Sequence, residues 1–81
     1  MTPEQALSKA IRIQRLEKEL SQEQLAELSE IDQTYLSQIE RSKRQPSLKA
    51  LRKIAKALEL DLSDLFRNAE VREKEAEYKT D

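Results

Sequence analysis

Gln33, Thr34, Ser37 and Gln38 carry amide and hydroxyl groups at a spacing that matters if their segment is helical. At about 100° per residue, with Gln33 at zero, Ser37, Arg41, Thr34 and Gln38 lie within about 140°. Tyr35, Leu36 and Ile39 fall on the other side, between about 200° and 300°. One face can therefore pack while the other stays free. A free face of this kind suits the major groove of DNA. A glutamine pairs in bidentate fashion with adenine N6 and N7, and serine and threonine are short donors and acceptors. Arg41 extends the arc and is a further candidate for DNA contact. Lys43 and Arg44 follow at once, where a loop lies beside the phosphate backbone; such contacts set register and supply much of the affinity. Ser21-Gln22-Glu23-Gln24 opens another helix. Its unpaired N–H groups can hold a phosphate, with Gln22 reaching further as a donor, while Ser21 also caps the helix.

The charge pattern agrees with this reading only when taken locally. Lys and Arg number 15 against 16 Asp and Glu, a net charge of −1 over 81 residues. From Arg41 to Lys56 there are seven bases and no acid, whereas Ser21 to Glu40 holds five acids and no base. A patch acts within a Debye length of about 8 Å, so the local surplus governs a nearby polyanion. Lys49, Arg52, Lys53 and Lys56 are better read as the wet side of their own helix.

The composition also excludes chemistry. Cysteine and histidine are absent, which removes disulfides, the usual zinc ligands, thiol nucleophiles and the side chain best suited to proton transfer near neutral pH. Glycine is absent too, and phosphate-cradling loops need it. Asp61 and Asp64 are an acid pair without a histidine or nucleophile beside them. No enzyme, metal, cofactor or small-molecule substrate is expected. No apolar run approaches the 18 or so residues of a membrane helix, and no signal-peptide pattern opens the chain. The expectation is a cytoplasmic protein without a membrane partner, drawn to the nucleoid through DNA.

The elements that must position these residues read as all-α. Both prolines, Pro3 and Pro46, stand where a helix begins. Thr2 to Gln5 has capping-box spacing, and the first helix is expected to run to about Glu19. A second, of about eight residues, follows Ser21. Asp32 caps a third from Gln33 to about Arg41. Ser47 caps a fourth, where Leu51, Ile54, Ala55 and Leu58 follow helical spacing. A fifth starts near Asp61 or Ser63 and carries Leu65 and Phe66. Residues 1–66 are expected to form one helix-turn-helix domain. Residues 67–81 hold nine charges and read as a helical extension or a disordered tail.

From Ile11 to Phe66 the chain resembles the Cro/repressor-type, lambda repressor-like helix-turn-helix regulators of bacteria and phages. The resemblance rests on Ile11-Arg12 with Arg15, on Leu20-Ser21-Gln22-Glu23-Gln24-Leu25-Ala26, on Thr34-Tyr35-Leu36-Ser37-Gln38-Ile39-Glu40-Arg41, and on Pro46-Ser47-Leu48 with Leu51, Ile54, Ala55 and Leu58. Thr-Tyr-Leu-Ser with Glu-Arg downstream is also similar to controller proteins of restriction–modification systems. The resemblance implies a five-helix domain that binds a palindromic double-stranded DNA operator as a homodimer, its third helix in the major groove. It makes Gln33, Thr34, Ser37 and Gln38 base-facing and assigns Gln22, Lys43 and Arg44 to phosphates. For Tyr35, DNA contact and core edge both stay open. It further implies an ion pair between Arg15 and Glu40. Glu19, Glu30 and Ser42 stand where the family often has glycine, so differently shaped turns are expected there. Leu60, Leu62, Leu65 and Phe66 are the candidates for the dimer interface. The competing reading is a protein-interaction module, such as an antitoxin-like helical bundle, whose tail from Glu70 to Tyr78 folds against a partner.

Overall fold

The computed structural model describes residues 2–79, with side chains given through Val71 and at Lys74. The side chains of residues 72, 73 and 75–79, that of Tyr78 among them, and all of Met1, Thr80 and Asp81 lie outside the described residues. Five helices and no strand occur among them: α1 Pro3–Glu17, α2 Gln22–Ser29, α3 Gln33–Glu40, α4 Leu48–Ala57 and α5 Leu62–Lys79.

Each of the first four helices starts where a side chain can satisfy its orphan N–H groups. Thr2 and Ser21 form full capping boxes with Gln5 and Gln24. The carboxylate of Asp32 accepts from the Tyr35 N–H, and the hydroxyl of Ser47 accepts from the Ala50 N–H. The helices end alike. After α1, α2, α3 and α4, one residue takes a left-handed backbone: Glu19 (φ 57°), Glu30 (55°), Ser42 (58°) and Glu59 (59°). The next N–H then reaches back five residues: Leu20 to Arg15, Ile31 to Ala26, Lys43 to Gln38 and Leu60 to Ala55. This is the Schellman arrangement, made here without glycine. The expectation of differently shaped turns is therefore corrected at Glu19, Glu30 and Ser42, and Glu59 is a fourth such site. The backbone hydrogen bonds hold the left-handed geometry against a penalty of about 1 kcal/mol or more at each. Glu19 adopting it is also why α1 stops at Glu17, earlier than expected.

That penalty can be relieved. Glu30→Gly is expected to raise stability by about 0.5 to 1 kcal/mol, the release of left-handed strain exceeding glycine's greater freedom in the unfolded chain. Urea unfolding at constant slope measures it; a loss of stability would show that Glu30 makes compensating contacts.

The core draws from every helix. Ile11, Leu25, Leu36, Ile39, Ile54, Leu58 and Leu65 are fully buried, with Ala6, Ala10 and Ala55 between them. Leu20, Ile31 and Leu60, which follow the left-handed residues, fold back onto this cluster. Lys43 occupies the same position after α3, and it is exposed. α1 packs on α5 and α3, α2 on α3 and α4, and α4 on α5, so α3 is held from behind by α1 and α2.

The segment beyond Phe66 continues α5 to Lys79. Of the candidate interface residues, Leu65 is enclosed in the chain's own core and offers no surface to a partner, so its placement at a dimer interface is corrected. Leu60 and Leu62 are half-buried against that core, and Phe66 is 46% exposed.

Candidate nucleic-acid interface

α3 buries one side and presents the other. Leu36 and Ile39 lock it into the core, while Gln33 and Thr34 are exposed and Ser37 and Gln38 half-buried. Gln22, Gln33, Thr34, Ser37 and Arg41 line one open concavity. It joins the start of α2 to the outer face of α3, as two short helices meeting across a tight turn require. Arg41 donates from Nε to the Ser37 carbonyl at 3.3 Å, which keeps its stem along the helix end. Gln38 does not line this concavity; at helical spacing it falls about 140° from Gln33, at the far end of the arc.

The loop after α3 carries the cations. The Lys43 N–H donates to the Gln38 carbonyl at 2.8 Å, so the backbone is fixed while the residue stays exposed. The Arg44 guanidinium lies 4.9 Å from the centre of the Tyr35 ring, a cation–π contact that limits its wandering. The Tyr35 hydroxyl in turn accepts from the Ser47 N–H at 3.0 Å, tying α3 to the start of α4. With its ring packed partly on the core, Tyr35 has a structural place. Its hydroxyl proton remains available to an acceptor.

Behind the face, Arg15 and Glu40 form a two-pronged ion pair. Arg15 Nε donates to Oε2 at 2.9 Å and Nη2 to Oε1 at 3.0 Å, and Nη1 donates to the Leu20 carbonyl at 2.8 Å. The side chains are 10% and 2% exposed, so the charges are answered by each other rather than by water. Gln22 joins them, its Nε2 donating to Glu40 Oε1 at 3.2 Å. Ser21 accepts from the Gln24 N–H at 3.0 Å in capping α2. The Gln22–Glu40 bond and the Arg44–Tyr35 contact were not legible in the sequence. Their partners lie 18 and 9 residues apart, and no periodic pattern links them.

A helix-turn-helix with a solvent-facing amide and hydroxyl face, beside the exposed Lys43 and Arg44, defines a DNA-binding module. Residues 11–65 match the helix-turn-helix family, and the chain belongs to it, with the lambda repressor-like five-helix fold of the Cro/repressor type. It is 44% identical over 62 residues to the control protein C.MunI of a Mycoplasma species, covering 73% of this chain and 84% of that one. It is also 44% identical over 63 residues to an uncharacterized HTH-type transcriptional regulator of Mycobacterium tuberculosis, covering 78% of this chain and 45% of the relative. The chain thus spans less than half the length of that regulator. Among solved structures, the clp gene regulator ClgR from Corynebacterium glutamicum superposes with a TM-score of 0.87 at 27% identity, over 99% of this chain and 86% of that one. No described helix is long and apolar enough to cross a membrane.

Proposed function

We propose that the chain regulates transcription by binding a specific double-stranded operator as a homodimer, with α3 in the major groove. The observation that carries this is the division of α3: Leu36 and Ile39 are enclosed, and Gln33, Thr34 and Ser37 stand open around one concavity. Gln33, Thr34, Ser37 and Gln38 read base edges; Gln22, Lys43 and Arg44 hold phosphates. In a two-fold dimer the recognition helices lie about 34 Å apart, so half-sites repeat about one helical turn apart on a palindrome. The partly exposed Phe66 and Val71 of α5 supply apolar surface for pairing, together with the outer edges of Leu60 and Leu62.

The test is a substitution series on a duplex recovered by selection from random DNA. Gln33→Ala or Gln38→Ala is expected to weaken that duplex by about 1 to 3 kcal/mol while barely changing binding to random DNA. Lys43→Ala or Arg44→Ala weakens both, and each lowers the slope of log K against log salt by about one. Equal losses on both duplexes for all four would end the division of roles. A wild-type affinity indifferent to salt would point instead to a protein partner.

A further inference from the structure

Glu40 faces two donors, and its place behind α3 gives it a consequence at the surface. Its Oε1 accepts from both Arg15 Nη2 and Gln22 Nε2, at 3.0 and 3.2 Å. A carboxylate can only accept, so it dictates that the nitrogen of the Gln22 amide turns inward. Arg15 in turn holds the carboxylate by two prongs, with its third nitrogen donating to the Leu20 carbonyl. Neither charged group can swing away without leaving a buried charge unanswered. Gln22 lies half-buried at the rim, one side on this pair and the other lining the concavity with Gln33, Thr34, Ser37 and Arg41. Among the described residues, its second N–H and its carbonyl oxygen have no partner.

Resting on the DNA-binding reading above, we propose that Glu40 is a positioning residue for DNA binding. Through the Gln22 amide that its carboxylate holds, the buried ion pair presets a phosphate donor beside the reading face. A long amide side chain left to itself samples many rotamers, and binding must then freeze it. Here the fold has done so beforehand, which turns a contact joining α1 to α3 into part of the binding surface.

A double-mutant cycle on the selected duplex tests this. The second background is Arg15→Met with Glu40→Leu, which replaces the ion pair by apolar groups of similar size and can keep the fold. Gln22→Ala is expected to weaken binding about 10-fold in the wild type and less than about 2-fold in that background. Equal losses in both overturn the positioning role, and no loss in either shows that Gln22 does not touch DNA. Failure of the wild type to bind any duplex overturns the DNA-binding reading itself, a result distinct from both. A measurement on the unaltered protein needs no variant to fold. The Gln22 side-chain amide protons should exchange with solvent more slowly than those of the exposed Gln33 in NMR spectra, and equal exchange rejects the hold by Glu40.

Discussion

Glu40→Ala should remove about 3 to 5 kcal/mol of folding stability, the cost of leaving the Arg15 guanidinium buried without its counter-charge. At roughly 0.05 to 0.15 kcal/mol per residue, a domain this size has about 4 to 12 kcal/mol to lose, so the variant is at the edge of unfolding. Arg15→Ala should cost a similar amount, because the carboxylate is then the orphan and it is the more enclosed of the two. The informative comparison is the double replacement by methionine and leucine. It should recover most of the loss, since apolar groups carry no desolvation penalty for lost charge. Urea unfolding of the three variants measures this. Single losses below about 1 kcal/mol would mean that the pair behaves like an exposed one. The Lys18–Glu59 pair, at 3.1 Å with side chains 40% and 81% exposed, is the internal control and should be worth little.

Leu36→Ala carries the second large effect. Leu36 is fully buried at the back of α3, opposite its solvent-facing polar side, and its truncation should cost about 2 to 5 kcal/mol through lost transfer energy and the cavity left behind. Leu28→Ala, on the neighbouring helix at 59% exposure, should stay within about 0.5 kcal/mol of wild type. The contrast is read from denaturation midpoints at unchanged slope. Similar midpoints for the two would mean that α3 does not depend on the core for its seat, and the argument for a rigidly presented face would fail.

Much of the fold was legible because its signals are local. Capping depends on residues three apart, so Thr2, Ser21, Asp32 and Ser47 announce their helices directly. The spacing of Leu51, Ile54, Ala55 and Leu58 marks the buried stripe of α4. The two-sided character of α3 follows from helical geometry applied to eight residues, and the structure encloses Leu36 and Ile39 as that geometry requires. The left-handed turns were read less well. Without glycine at Glu19, Glu30 and Ser42 the sequence argued for altered turns, yet backbone hydrogen bonds from the following residue retain the geometry. A penalty near 1 kcal/mol at one residue is outweighed when several bonds depend on it.

The candidate site divides along the same line. Which side chains stand on α3, and that Lys43 and Arg44 follow it, is a matter of order along the chain, which periodicity and charge counting can read. That Gln22 and Arg41 gather with Gln33, Thr34 and Ser37 while Gln38 lies apart depends on how α2 and α3 cross. Likewise Leu65 turned inward while Phe66 kept half its surface, because α5 lies against α1 and α4 at one particular rotation. Residue types and spacing thus determined the helices, their caps and the two faces of α3, since each follows from neighbours within a turn or two. Packing alone decided the contacts between Glu40 and Gln22, between Arg44 and Tyr35, and between Leu65 and the core, since distant segments meet only where burial of the shared apolar surface brings them together.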